Sequence, residues 1–537
     1  MSYVSYIERL LRYACTTALI VLALPGCSTL PAEGPRTYST AMIAESPATA
    51  MLEQVAEASM RDAEPGQSGF RMLLGPAALD LRLELMRKAE RSIDMQYYHL
   101  HDDITGRLVM RELRDAAKRG IRVRLLLDDL YTDGLEPVLH GLECDRNVEV
   151  RLFNPFPTRG GVGKRIAGAL FDFARLNRRM HNKMFVVDGA LAIAGGRNLG
   201  DEYFLRSLKF NFFDFDVLIA GPVVSQMGSL FDEYWNSPQV RTLRSVQLPE
   251  QTQEVLRQNL DIRLNATKRP DLRLVSSVDR QGRSAPDTQL AAGRVEMVYG
   301  HAQAFADSPA KAWGDTEVAR LRTGALLDNN RLLLRSEFQK AHSEIAIASP
   351  YLVPDTIALE GARVNIARGV KISLLTNSLA ASDEQVVHTG YRRYRDRMLR
   401  SGLTIFELHP SLGQKILMPG EISGTPLRLH SKATIIDRER LFIGSANFDP
   451  RSEALNTEFG IFINSPALAV EAFDLLQLLQ REASYQVALK GHSEDELQWI
   501  HTNSEQQTIV VDSEPGADPW TRLRLFIQSI VIPESLL

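Results

Sequence analysis

Short apolar runs alternate along the chain with longer stretches that mix apolar, small and basic positions, as expected where strands alternate with helices. A helical segment closing on Lys88-Ala89 leads into the apolar run from Ile93 to Tyr98. Another, closing on Lys340-Ala341, leads into Ile345 to Ala348. A second helix carries Ala116-Ala117-Lys118-Arg119-Gly120 in one place and Ala367-Arg368-Gly369 in the other, each with glycine at its end. Buried strands from Val123 to Leu127 and from Ile372 to Leu375 follow. This grammar predicts an α/β layered fold with a sheet at the centre of each unit.

The two sets are copies of one another. Lys88 to Ile93 returns as Lys340 to Ile345 at a spacing of 252, and Gly120 to Leu127 returns as Gly369 to Thr376 at 249. His181-Asn182-Lys183 returns as His430-Ser431-Lys432, again at 249. Matches in one order at near-constant spacing indicate a duplicated unit. The expected layout is a leader over 1–27, a linker over 28–75, a first domain over 76–240 and a polar, turn-rich connector over 241–320. A second domain over 321–490 and a C-terminal extension over 491–537 complete it.

Composition narrows the class. At 537 residues the chain is too long for one compact core, and 44% hydrophobic with 24% charged residues excludes disorder and low complexity. A net charge of −4 leaves no chain-wide basic footprint, so no nucleic-acid partner is expected. Of the three cysteines, Cys15 and Cys27 lie in the leader and only Cys144 lies beyond it, which excludes a disulfide framework and a cysteine-based zinc site. Arg9 and Arg12 precede an apolar run from Ala14 to Leu24. That run is about half the roughly 20 residues a spanning helix needs, and reads as an export signal. Its ending, Leu24-Pro25-Gly26-Cys27, resembles a bacterial lipobox; the resemblance implies acylation of Cys27 and attachment to the cell envelope, facing the periplasm.

The chemistry lies in two matching segments. His181-x-Lys183 is followed by Asp188 and then by Gly195-Gly196-Arg197-Asn198; His430-x-Lys432 is followed by Asp437 and then by Gly444-Ser445-Ala446-Asn447. Histidine and lysine two apart on a strand point to one face, so both reach one ligand. An imidazole attacks phosphorus or moves a proton near neutral pH, an ammonium supplies charge to phosphate oxygens, and an asparagine amide donates further hydrogen bonds. Gly196 and Ser445, beside Asn198 and Asn447, count with the candidate substrate contacts. Asp188 and Asp437 belong to the motif set, although Asp188-Gly189 is a hairpin signal and their place suits a turn. Asp214 and Glu458 occupy equivalent strand positions, 33 and 28 residues past their histidines, where a carboxylate would orient an imidazole. A lone His-x-Lys is usually an exposed strand; two copies with full downstream spacing inside an established repeat are not. The lysines provide the countercharge, so neither metal nor cofactor is expected.

This duplicated pattern resembles the phospholipase D superfamily, over a stretch from about residue 76 to the C-terminus. The resemblance implies two α/β/α sandwich domains packed pseudo-symmetrically around one shared active site, and a two-step reaction through a covalent phosphohistidine. One histidine attacks phosphorus while the other protonates the leaving alcohol and then activates the incoming one; family precedent favours His181 as nucleophile. Gly195 to Phe204 and Gly444 to Glu458 are closer still to the C-type bacterial cardiolipin synthases. That implies phosphatidyl transfer between phospholipids, with phosphatidylglycerol or phosphatidylethanolamine as substrates, at a membrane surface. A hydrolytic phospholipase D releasing phosphatidic acid is the alternative. A nuclease is disfavoured by the acidic charge and the leader, and a lipid-binding protein with a retired site by two intact motifs.

Two weaker signals flank the first motif. From Arg159 to Lys183, seven basic residues interleave with Ile166, Leu170, Phe171, Phe173 and Leu176, a candidate surface for anionic headgroups or a helix with one buried face. His99-Leu100-His101 pairs two imidazoles on a strand but has no obvious third ligand, so it reads as a polar rim.

Overall fold

The computed structural model describes residues 32–158, 172–268, 279–314, 319–320, 326–327, 330–417, 425–490, 497–518, 520–521 and 524–525. The duplication is visible as two sheets of the same order. In the first half, Val148–Phe153, Arg122–Asp128 and Ser92–Tyr97 run parallel; Met184–Val187, Leu191–Gly195 and Phe215–Ala220 continue antiparallel, and Ser68–Leu74 lies against the last of these. In the second half, Thr404–Leu408, Lys371–Asn377 and Glu344–Ala348 are the parallel strands. Ala433–Ile436, Arg440–Gly444 and Phe459–Asn464 continue antiparallel, and Val298–Ala306 lies against the last. The two outer strands also pair with each other, Ser68 to Phe70 against Val298 to Gly300, so the sheets join edge to edge.

Helices cover both faces, as the mixed α/β pattern requires. Gly75–Lys88 and Ile104–Lys118 bury Leu79, Leu83, Leu108 and Leu113 on the outer face of the first sheet. The helices Pro222–Trp235 and Pro466–Ala483 lie on the inner faces, where Met227, Tyr234 and Trp235 share one core with Leu468, Leu475 and Leu476. That common core presses the halves together. The helix ends read from glycine are where expected: Gly120 and Gly369 follow the helices Ile104–Lys118 and Thr356–Ala367, at φ +94° and +88°.

The unit boundaries differ from the sequence layout. The stretch 28–75, read as a linker, contains the helix Met51–Ser59 and the strand Ser68–Leu74, and the connector 241–320 contains Val298–Ala306. Both strands were masked by polar residues. Arg71 interrupts the first but is buried and paired with Asp279 at 2.7 Å, while Gly300, His301 and Gln303 dilute the second. The C-terminal extension adds Leu497–Thr502 and Thr508–Val511 to the edge of the second sheet, through Ser484–Leu489. Among the described residues, no helix is long and apolar enough to cross a membrane. Cys27 and the leader lie outside the described residues.

Candidate active site

Each motif histidine stands just before a strand, Met184–Val187 or Ala433–Ile436, on a segment that pairs with the other half. The His181 amide donates to the Thr457 carbonyl at 2.9 Å, and the His430 amide donates to the Phe213 carbonyl at 2.8 Å. A two-stranded ribbon, Asn211–Phe213 beside Leu427–Leu429, reinforces the second crossing. Each imidazole is therefore carried to the strand that bears the opposite half's carboxylate. His181 Nδ1 lies 3.0 Å from Glu458 Oε2, and His430 Nδ1 lies 2.8 Å from Asp214 Oδ2. The sequence placed those carboxylates as orienting partners downstream of their own histidines; the structure exchanges them. With Nδ1 occupied, Nε2 is the nitrogen left for chemistry.

The lysines complete the pocket. Lys183 Nζ donates to the His181 carbonyl at 2.5 Å, and Lys432 Nζ donates to the His430 carbonyl at 2.7 Å; both side chains are buried. Burial pushes Lys432 down to about 8 and Lys183 well below its ordinary range. Burial also pushes His181 down to about 4, against the pull of Glu458, and holds His430 low with help from Lys432, Lys183 and His181. That mutual influence places both imidazoles and both ammonium groups in one electrostatic neighbourhood. Burial raises Asp214, whereas at Glu458 the influence of His181, Lys183 and Ser445 outweighs burial and lowers the carboxyl. Tyr98 stands edge-on to His181, and Tyr203 edge-on to His430, both at 5.0 Å.

The remaining candidates fall into place differently. A Cβ on Gly196 would come within 2.7 Å of Asp214 Oδ2, so this glycine makes room for the carboxylate. Its counterpart Ser445 donates to Glu458 Oε2 and accepts from the Phe459 amide at 3.0 Å. Both support carboxylates. The Asn198 amide donates to the Tyr203 hydroxyl at 3.0 Å, while Asn447 receives no such aromatic partner among the hydrogen bonds described. Asp188 and Asp437 lie at the far ends of their strands. Asp188 accepts from the amides of Glu90, Arg91 and Ser92, and Asp437 from those of His342, Ser343 and Glu344. Both have positive φ, as does the residue after each, which forms the hairpin turn. The structure thus separates these two aspartates from the pocket.

Behind Asp214 lies a buried charge cluster the sequence reading missed. Arg197 donates to the carbonyls of Asp214 and Tyr203 and pairs with Asp216 at 3.2 Å, and Arg82 pairs with Asp216 at 2.8 Å. The signal was available as charged residues inside apolar strand and helix patterns. His99 stacks on Tyr131 with ring centroids 4.1 Å apart, and His101 has two acidic neighbours, Asp103 and Glu202. These three bring ligand atoms within 4.8 Å of one another, the grouping that would suit a cation at the rim. Where it is described, the basic segment is largely turned inward: Arg175 pairs with Asp172, Arg179 with Asp128, and Lys183 faces the pocket, all buried, while Arg178 is half-buried. Its stretch 159–171 lies outside the described residues.

Two imidazoles, each pinned through Nδ1 from the opposite half and flanked by a buried ammonium, define the two-histidine apparatus of the phospholipase D superfamily. The family described as "Cardiolipin synthase, PLD-like domain" matches residues 83–235 and 334–479, and the chain belongs to it. Cardiolipin synthase C of Escherichia coli is 37% identical over 476 residues, which cover 88% of this chain and 97% of that protein. Cardiolipin synthase A of Pseudomonas fluorescens is 26% identical over 404 residues, 75% of this chain and 66% of that protein. The solved phosphatidylserine synthase of Haemophilus influenzae superposes with a TM-score of 0.52 at 14% identity, covering 90% of this chain and all of that one, and shares the fold.

Proposed function

We propose that the protein is a phosphatidyltransferase of the cardiolipin synthase type, acting on phosphatidylglycerol or phosphatidylethanolamine at the membrane surface. The crossed histidine–carboxylate pairs are the observation that carries this reading, together with the near full-length similarity to cardiolipin synthase C. In the first step His181 Nε2 attacks phosphorus, the bond to the oxygen of the donor's headgroup alcohol breaks, and His430 gives that oxygen its proton. In the second, His430 takes the proton from a hydroxyl of the acceptor lipid, whose oxygen displaces the phosphatidyl group from His181. A neutral imidazole is what the nucleophile needs, and burial keeps His181 neutral. The role given to His430 needs its protonated form, which the negative charge of a bound phosphodiester favours against burial and the two lysines. Lys183 and Lys432 meet the charge that spreads over the non-bridging oxygens.

The proposed location is the cell envelope, reached through the leader and held by an acylated Cys27. Purified protein on phosphatidylglycerol vesicles, with products read by mass spectrometry, tests the activity: cardiolipin is expected, together with free glycerol. Phosphatidic acid as the main product, even with excess glycerol as a competing acceptor, would instead identify a hydrolase.

A further inference from the structure

The second half is hollow where the first is filled. A cleft of ≈ 200 Å³ runs between the second sheet and the helix Thr356–Ala367. Its floor is Ile345, Ile347, Ile372 and Leu374, its roof includes Ala358 and Ala362, and one end reaches Asn447 and Asp449 on the motif loop. The sequence explains the void. At the repeat spacing of 249, Val109 becomes Ala358, Leu113 becomes Ala362, Glu112 becomes Gly361 and Arg197 becomes Ala446; at the spacing of 252, Arg82 becomes Leu334. Val109 and Leu113 are fully buried, and their helix Ile104–Lys118 buries ten residues. The helix Thr356–Ala367 buries only Asn365, and a Cβ built on Gly361 meets nothing within 4 Å.

The exposed side of that helix carries aliphatic residues beside the Glu360–Arg363 ion pair. Ile357 is 60% exposed and Val364 51%, one face of the helix apart by two turns, and the neighbouring Leu332 is 56% exposed. The hollow that begins at the motif loop is thus lined mainly by aliphatic residues, with Arg335, Asp355 and Glu453 among its polar ones. Apolar lining that faces a cleft instead of side chains lacks the contacts a hydrocarbon chain would supply. Accepting the phosphatidyltransferase reading, the donor or acceptor carries hydrocarbon chains attached a few bonds from the phosphorus. We propose that this cleft receives one acyl chain of the phospholipid substrate, drawn from the bilayer past Ile357 and Val364 while the phosphate sits between the histidines. A chain leaving bilayer hydrocarbon for an aliphatic cleft gains little by transfer. The cleft therefore acts by holding the lipid in register with the site.

The test returns the first half's side chains to the second. In the full-length protein, Ala358→Val with Ala362→Leu fills the cleft, and Ala362→Phe fills it independently. On dioleoyl-phosphatidylglycerol vesicles both variants are expected to lose roughly 10-fold in kcat/KM through lost positioning, while turnover of monomeric dibutyroyl-phosphatidylglycerol stays within about twofold of the unmodified protein. Short-chain turnover also reports that the variants fold. An unchanged rate on vesicles, or an equal loss on both lipids, overturns the proposal. A second measurement stands apart from activity: phosphatidylglycerol carrying a diazirine at one chain end should label the segment 345–374 in the unmodified protein and not in the filled variants. Labelling elsewhere, or equal labelling of all three proteins, rejects the cleft. Failure of the unmodified protein to convert either lipid would reject the phosphatidyltransferase reading, and the labelling result would still decide the cleft.

Discussion

The two halves present the same surface to the pocket and support it by different means. Behind Asp214 the first half buries Arg82, Arg197 and Asp216 as a charge cluster; at the equivalent positions behind Glu458 the second half has Leu334, Ala446 and Gly460, with a cleft alongside, and its buried ion pair, Asp307–Lys311, is held on the Glu458 backbone instead. Asp214 fits because position 196 is glycine, whereas the longer Glu458 is met by the Ser445 hydroxyl. A duplicated unit is thus constrained where its side chains converge on the site. The layer behind is free to change as long as each carboxylate still reaches the other half's imidazole.

The largest effect should come from breaking the pair itself. His181→Ala and His430→Ala are each expected to lower turnover by ~10⁴-fold or more, since groups that act as a unit fail together. The comparison sharpens in the intermediate: with His181 as nucleophile, mass spectrometry of the His430→Ala variant given phosphatidyl-p-nitrophenol, whose leaving group needs no proton, should find a phosphatidyl adduct on His181. An adduct on His430 in the His181→Ala variant would exchange the roles.

Next in size are the carboxylates. Glu458→Gln and Asp214→Asn should each cost about 10²- to 10⁴-fold in kcat, by loosening the imidazole that each orients. Because the pairs cross, the nitrogen NMR signals of His181 should move in Glu458→Gln and hold in Asp214→Asn. Pairing within each half would give the reverse.

A smaller effect, on stability, isolates the layer behind the site. Arg197→Ala leaves Asp216 with one cation fewer in a fully buried setting, a loss of roughly 3–5 kcal/mol in urea unfolding. Replacing the whole cluster by the second half's residues, Arg82→Leu with Arg197→Ala and Asp216→Gly, should recover most of that loss. A triple variant as unstable as the sum of its parts would mean that the charges themselves are needed.

How much of this was legible follows from the same contrast. The motif, its repeat and the alternation of strands and helices rest on local spacing, and they appear in the structure where the pattern put them. The crossing of Glu458 and Asp214 did not, because their separations of 28 and 33 residues point to their own histidines while the pairing is set by contacts between halves. Basic residues misled for a related reason. Arg71, Arg175 and Arg179 look solvated in sequence, but Asp279, Asp172 and Asp128 neutralise them in the interior. The cleft leaves no mark in one copy alone; it emerges only when Ala358 and Ala362 are set beside Val109 and Leu113.

The smallest expected effect concerns the turn aspartates, and here the halves should differ in sign. Burial pushes the Asp188 carboxyl up, past what its three backbone amides offset, so folding disfavours its ionised form. At Asp437, burial also raises the carboxyl, but the amides of Ser343, Glu344 and His342 outweigh it and hold the group below its ordinary value. A lowered folded value gives stability that is full above the unfolded value of about 3.9 and is lost as pH falls through the folded one. A raised value does the opposite: stability grows as pH falls from above the folded value to below the unfolded one. Asp188→Asn and Asp437→Asn should each leave catalysis near normal, since neither faces the pocket. In urea unfolding from pH 7 to pH 3, the deficit of Asp437→Asn should shrink on acidification and that of Asp188→Asn should grow. Parallel slopes would show that the two latches, alike in geometry, are also alike in electrostatics.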